Sequence, residues 1–68
     1  MTEPLQVLIV DDEPLARAGL RRIVEGLEGY AVAGECGDGR SALAAIEVRR
    51  PAVVLLGIEM PELAAFGV

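Results

Sequence analysis

The ten residues LQVLIVDDEP, at positions 5–14, decide the fold of this chain. Six β-prone and almost entirely apolar residues end abruptly at two aspartates, a glutamate and a proline. Such a run is typical of a strand that is buried on both faces, as in a parallel sheet. Pro14 suits the first position of a helix, and acidic residues just before it suit the positive end of the helix dipole. The stretch therefore predicts a buried strand that leads directly into a helix.

The helix that begins at Pro14 is predicted to run to Glu28. Gly29 is a suitable terminator because glycine readily adopts the left-handed conformation. The apolar residues recur at i, i+3, i+4 and i+7, so they form one stripe that faces a sheet: Leu20, Ile23, Val24 and Leu27. The charged residues fall on the other side: Arg17, Arg21, Glu25 and Glu28.

Two more strands and a second helix are predicted downstream. A shorter strand covers residues 30–36, with Tyr30, Val32 and Gly34 alternating along it. Asp38 can cap a helix over residues 39–49, whose apolar stripe is Ala42, Leu43, Ala45 and Ile46. Pro51 disfavours helix at the residue before it. A third strand is predicted over residues 52–56, then a loop over 57–61 and the start of a further helix over 62–68.

The order strand, helix, strand, helix, strand predicts half of a doubly wound α/β fold with right-handed crossovers. Functional groups in such sheets gather at the carboxyl ends of the strands. Here those ends are the Asp11-Asp12 pair and residues 57–59.

Length and composition limit the classes of function. With 68 residues the chain holds at most one small domain, and its apolar runs are too short and too interrupted to cross a membrane. The net charge is −5, which disfavours direct nucleic-acid binding. The clustered Arg17, Arg21 and Arg22 are interpreted as a solvated helix face. The single cysteine, Cys36, is interpreted as a packing residue, and its lack of a partner indicates the cytoplasm.

Asp11 and Asp12 are the candidate chemical groups. Two adjacent carboxylates repel each other unless a cation or hydrogen bonds compensate. Hard oxygen ligands suit Mg²⁺, which typically takes one or two carboxylates and keeps several waters. The alternative is that both aspartates cap the helix that begins at Pro14. The spacing alone favours neither interpretation, and one aspartate could do both.

Three segments carry a family resemblance. Residues 7–17, VLIVDDEPLAR, resemble the opening of bacterial response-regulator receiver domains, most closely those whose output is a LytTR-type DNA-binding domain. Residues 34–39, GECGDG, and 51–61, PAVVLLGIEMP, are similar to the second-strand and third-strand segments of the same family. The resemblance implies that residues 5–68 form a partial receiver domain. Its expected fold is a truncated doubly wound sheet of the flavodoxin or CheY-like type, with strand order 2-1-3.

The resemblance also implies roles for residues. Asp11, Asp12 and the backbone carbonyl of Glu59 would hold Mg²⁺. In the family, a histidine kinase supplies a phosphoryl group to an aspartate at the end of the third strand, and metal and fixed charges stabilise the transfer. Gly57 occupies that position and cannot act as a nucleophile, so Mg²⁺ binding is expected to be weak or vestigial. The family's Ser or Thr after the fourth strand and Lys after the fifth have no counterparts, and the sequence has no lysine.

The resulting expectation is a receiver-domain fragment of phosphorelay signal transduction that is not an enzyme and is not phosphorylated at Gly57. Its expected partners are a histidine kinase or other receiver and output domains, with possible self-association through an exposed third strand. One alternative is a protein-interaction module that works without phosphorylation. Another is a Mg²⁺-dependent phosphohydrolase of similar topology, which needs an acid two residues after its nucleophilic aspartate. Glu13 follows Asp11 at that spacing, but Pro14 comes next and no lysine follows.

Overall fold

The computed structural model of the chain describes residues 3–57. Strands and helices alternate along them, in the order β1 (Leu5–Val10), α1 (Pro14–Glu25), β2 (Tyr30–Cys36), α2 (Gly39–Arg49) and β3 (Val53–Leu56). The three strands form one parallel sheet in the order β2-β1-β3. The predicted α/β fold and its strand order 2-1-3 are therefore confirmed. The predicted loop residues after Gly57 and the helix start at 62–68 lie outside the described residues.

Strand β1 is the centre of the fold. It pairs with β2 on one side and with β3 on the other, and its last four residues, Val7–Val10, are at most 2% exposed. Burying one such side chain contributes about 1.5–3 kcal/mol to stability. Alternate residues of β1 point to opposite faces of the sheet and pack in two hydrophobic clusters. The cluster on the α1 side contains Val7, Ile9 and Val24. The cluster on the α2 side contains Leu8, Val10, Cys36 and Ala42.

Helix α1 is shorter than predicted. It ends at Glu25 instead of Glu28, and the backbone N–H of Gly26 bonds to carbonyls of the last turn. The predicted apolar stripe is also too wide, because Ile23 is 61% exposed and Leu27 is 49% exposed. The chain must turn back toward β2 after Gly26, which takes Leu27 off the helical face. In the described residues, the sheet-facing part of the stripe is Leu20 and Val24.

Helix α2 has the predicted bounds, Gly39–Arg49. The Asp38 side chain caps it, accepting a 2.7 Å hydrogen bond from the backbone N–H of Ser41. Leu43 was predicted to face the core, but it is 45% exposed. The chain leaves α2 through Arg50, which has a left-handed φ of 47°, and Pro51 follows.

Strand β3 begins one residue later than predicted, at Val53. Ala52 precedes it and donates its backbone N–H to the carbonyl of Gln6 at 2.9 Å. No helix among residues 3–57 has the length and apolar character needed to cross a membrane.

Strand β2 contains a register shift that the alternation of its residues did not predict. Val7 is opposite Val32, but Leu8 is opposite Gly34, so Ala33 is an extra residue. Its carbonyl accepts a 3.0 Å hydrogen bond from Nη1 of Arg49 in α2. A bulge of this kind changes which face the following residues occupy. Downstream of it, Glu35 is directed to the α1 side and Cys36 joins the core under α2.

Candidate functional site

The carboxyl ends of β1, β2 and β3 meet at one edge of the sheet. The Asp11 N–H donates to the carbonyl of Cys36 at 3.0 Å, and the Gly57 N–H donates to the carbonyl of Val10 at 2.6 Å. These bonds place the Asp11 turn between the ends of the two outer strands. A β-carbon added to Gly57 would lie 2.7 Å from Cγ of Asp11 and 2.8 Å from its Oδ2. The Asp11 carboxylate therefore covers the α-carbon of Gly57.

The acidic turn, Asp11–Glu13, is held by its own first side chain. Oδ1 of Asp11 accepts a 2.9 Å hydrogen bond from the backbone N–H of Glu13. Asp11 is half-buried, whereas Asp12 is exposed. The residue at the N-terminal cap of α1 is Glu13, and its side chain makes no capping bond. Within residues 3–57, the interpretation that both aspartates cap α1 is therefore wrong, because Asp11 instead fixes the amide of the capping residue.

Arg17 links the acidic turn to the end of β2. Its Nη1 donates to the backbone carbonyl of Asp11 at 2.7 Å, and its Nε donates to Oε1 of Glu35 at 3.2 Å. A β-carbon on Gly37 would come within 3.2 Å of Nη1. The expectation of a solvated arginine face is wrong for Arg17, whose side chain is only 24% exposed.

Arg21 lies one helical turn further along and shares the same partner. Its Nε donates to Oε2 of Glu35, and its Nη1 pairs with Glu25 at 3.0 Å. The hydrogen bond from Arg21 lowers the pKa of Glu35, and the same bond raises the pKa of Arg21. Arg22 is exposed, as predicted. Glu35 was missed as a site residue, although two arginines four positions apart on α1 indicate an anionic partner.

Cys36 and Asp38, at and just after the end of β2, also have shifted pKa values. Burial is the main cause that raises the pKa of the Cys36 thiol, and the charge of Asp38 adds to it. The thiol therefore stays protonated at neutral pH, which favours a packing role. The N–H of Ser41 lowers the pKa of Asp38, which keeps the helix cap ionised.

The carboxylate oxygens at this edge are the kind of ligand that a magnesium ion prefers. Mg²⁺ requires only one or two carboxylates and completes its coordination with water. Asp11 and Asp12 supply that number. Glu59, the third predicted ligand, lies outside the described residues. Among residues 3–57 no group of three or more His, Cys, Asp or Glu side chains is placed to hold a metal ion.

Comparisons with known proteins point to one family. The family model described as the response regulator receiver domain matches residues 7–66. The transcriptional regulatory protein BtsR of Salmonella typhi is 44% identical over 59 residues, which are 87% of this chain and 25% of BtsR. The positive alginate biosynthesis regulatory protein of Pseudomonas aeruginosa is 50% identical over 60 residues, which are 87% of this chain and 24% of that protein. This chain thus spans about a quarter of each relative.

A solved structure gives the same assignment. The signal receiver domain of the response regulator NarL from Mycobacterium tuberculosis superposes with a TM-score of 0.82 at 30% identity. The match covers 98% of this chain and 61% of the NarL chain. The closer resemblance to LytTR-type regulators stays a prediction.

Proposed function

Because this chain belongs to the response regulator receiver domain family, we propose that it serves two-component signalling as a receiver module that accepts no phosphoryl group at residue 57. The observation that carries this proposal is the glycine at the end of β3. Gly57 occupies the acceptor position of the family pattern, and the Asp11 carboxylate lies against its α-carbon. We assign the partial receiver domain to residues 5–68.

The chemistry of the edge supports this proposal. Phosphoryl transfer to a receiver requires a carboxylate that attacks phosphorus, and a glycine offers no attacking atom. Asp11 fills the space in which a side chain of residue 57 would begin. One of its oxygens is already engaged by the Glu13 N–H, which holds the carboxylate in the turn. We therefore propose that residue 57 takes no part in phosphoryl transfer, and we also propose that the module is not an enzyme.

Magnesium binding at this edge belongs to the same proposal. Asp11, Asp12 and the backbone carbonyl of Glu59 would hold the ion, with water completing its coordination. A bound Mg²⁺ would offset the repulsion between the two aspartates and attract phosphoryl oxygens. With glycine at position 57, the site has one anionic ligand fewer to offset the free-energy cost of removing water from the ion. Binding is therefore expected to be weaker than in a receiver that retains an acceptor aspartate.

The expected partners are proteins. We propose a histidine kinase, or other receiver and output domains, in the cytoplasm, with no direct contact to nucleic acid or membrane. A net charge of −5 disfavours phosphate-backbone binding. Partner recognition that does not depend on phosphorylation is compatible with a glycine at the acceptor position.

Intact-mass spectrometry tests the central statement. The chain is incubated with Mg²⁺ and acetyl phosphate, beside a receiver domain that has aspartate at the acceptor position. The control should gain one phosphoryl group, and this chain should keep its mass. A stoichiometric, hydroxylamine-labile adduct on this chain would overturn the proposal. The variants Asp12→Asn and Glu59→Gln would then show which carboxylate had accepted the group.

A further inference from the structure

We propose that Arg17 is a positioning residue for the acidic turn, because it fixes the backbone at Asp11 to the end of β2. The functional consequence of this inference rests on the magnesium site of the proposed function. Its structural basis is a pair of hydrogen bonds made by one guanidinium group, to the Asp11 carbonyl and to the Glu35 carboxylate.

The two bonds constrain the turn from one side. Nη1 of Arg17 lies 2.7 Å from the Asp11 carbonyl oxygen, and Nε lies 3.2 Å from Oε1 of Glu35. A guanidinium is planar and presents its donors in a fixed fork, so the carbonyl and the carboxylate are held at a set separation. The Asp11 N–H is also bound to β2, through the Cys36 carbonyl at 3.0 Å. Both peptide groups of Asp11 are therefore tied to the same strand end.

The surroundings of Arg17 support a positioning role. The Arg17 and Glu35 side chains are 24% and 28% exposed, so their ion pair is partly shielded from water. Gly37 leaves room for the guanidinium, since a β-carbon there would lie 3.2 Å from Nη1. Downstream of the bulge at Ala33, Glu35 lies on the α1 side, where Arg17 reaches it. The strand, the turn and the helix thus converge on this one side chain.

Charge and geometry predict opposite effects of Arg17 on metal affinity. A cation close to Asp11 repels Mg²⁺, so removing its charge alone should strengthen binding. Loss of positioning should weaken binding, because the turn must then be ordered when the ion binds. Arg17→Lys separates the two effects: it keeps the charge but cannot bond both partners through a planar fork. Arg21→Lys is the matched control, since Arg21 shares Glu35 but has no bond to Asp11.

The experiment follows the backbone amides of residues 11–13 by NMR in the full 68-residue chain, at the lowest concentration that permits detection. Each variant is first measured without metal, for hydrogen exchange at the Glu13 amide, and is then titrated with Mg²⁺. Arg17→Lys should accelerate exchange at Glu13 and raise the Kd by roughly tenfold, the low end of effects seen for residues that orient metal ligands. Arg21→Lys should change neither quantity.

Equal exchange rates and equal Kd values in the two variants would overturn the inference. If the wild-type chain does not titrate, the magnesium site of the proposed function fails. The positioning role is then decided by Glu13 exchange alone, and faster exchange confined to Arg17→Lys supports it. If Arg17→Lys does not fold, Glu35→Gln replaces it, with Glu25→Gln as its matched control. Faster Glu13 exchange in Glu35→Gln alone would then support the inference, and equal exchange in Glu35→Gln and Glu25→Gln would overturn it.

Discussion

At the scale of single residues, the feature of most functional interest is the position of the Asp11 carboxylate beside Gly57. Residue 57 has no side chain, and the Asp11 carboxylate occupies the space where one would begin. The sequence predicted that these two strand ends would meet, from the rule that functional groups gather at the carboxyl ends of parallel strands. It did not predict that Asp11 would bond to Glu13, because a side-chain rotamer depends on the neighbour that packs against it.

Substitution of Gly57 should therefore move Asp11. In Gly57→Ala, a β-carbon 2.7 Å from Cγ of Asp11 forces the carboxylate away from the Glu13 N–H. Because the group that must shift is the end of a side chain, the expected cost is the loss of this one hydrogen bond, about 0.5–1.5 kcal/mol in the free energy of unfolding. Urea denaturation measures this cost, and an unchanged midpoint would contradict the observed contact.

Gly57→Asp imposes the same displacement but adds a carboxylate. It should bind Mg²⁺ more tightly than the wild-type chain, which is expected to need more than micromolar Mg²⁺ for saturation. Gly57→Ala is the matched control, because it has the β-carbon without the charge. Equal Mg²⁺ affinity in the two variants would show that a carboxylate at position 57 is not a ligand.

At the scale of elements, the bounds of β2 and α2 could be predicted because local signals mark them. Asp38 caps α2, and Pro51 follows its last residues. The end of α1 could not be predicted, because the apolar spacing continues through Leu27 although the helix ends at Glu25. The apolar periodicity shows which face of a helix can pack against the sheet, but it does not show where the helix ends. How far the sheet extends beneath a helix depends on the packing of the whole domain.

The cap of α2 should make part of the stability depend on pH. The pKa of Asp38 is below its ordinary value of 3.8, because the folded state stabilises the carboxylate. This contribution is fully present above the unfolded-state pKa and is lost as the pH falls through the folded-state pKa. Asp38→Ala should lower Tm at pH 7 through loss of the cap.

Asp38→Asn is the control for charge, since asparagine caps helices about as well as aspartate. It should keep most of the wild-type Tm at pH 7. It should also lack the part of the acid sensitivity that comes from residue 38. Thermal unfolding between pH 7 and about pH 2 measures both effects, because the loss continues below the unfolded-state pKa. Parallel pH profiles for the wild type and Asp38→Asn would refute the assignment.

At the scale of the whole molecule, β3 lies at one edge of the sheet. Among residues 3–57 its strand neighbour is β1, on one side. Leu56, at its end, is 38% exposed. An apolar strand edge is a template for pairing with another chain. A chain of this length also buries too little surface to be very stable alone.

The 68-residue chain should accordingly self-associate. Size-exclusion chromatography is expected to show an apparent mass that rises with concentration. Leu56→Lys should reduce this association, because a charged residue at a strand edge opposes pairing. Leu15→Lys is the matched control, since Leu15 is 83% exposed and lies on α1, outside the sheet. A concentration-independent monomer that melts cooperatively above about 50 °C, within the usual mesophilic range, would contradict this prediction.

The extra residue in β2 has a consequence for how the length of this chain can vary. Ala33 has no opposite residue in β1, so a sequence without it could keep Val32 opposite Val7 and Gly34 opposite Leu8. Deletion of this one residue would therefore preserve the pairing of β1 with β2, although it would remove the carbonyl that receives Arg49. The same deletion within β1 would exchange the residues of its two faces throughout the core. We therefore expect that β2 tolerates a change of one residue in length at position 33, whereas β1 does not.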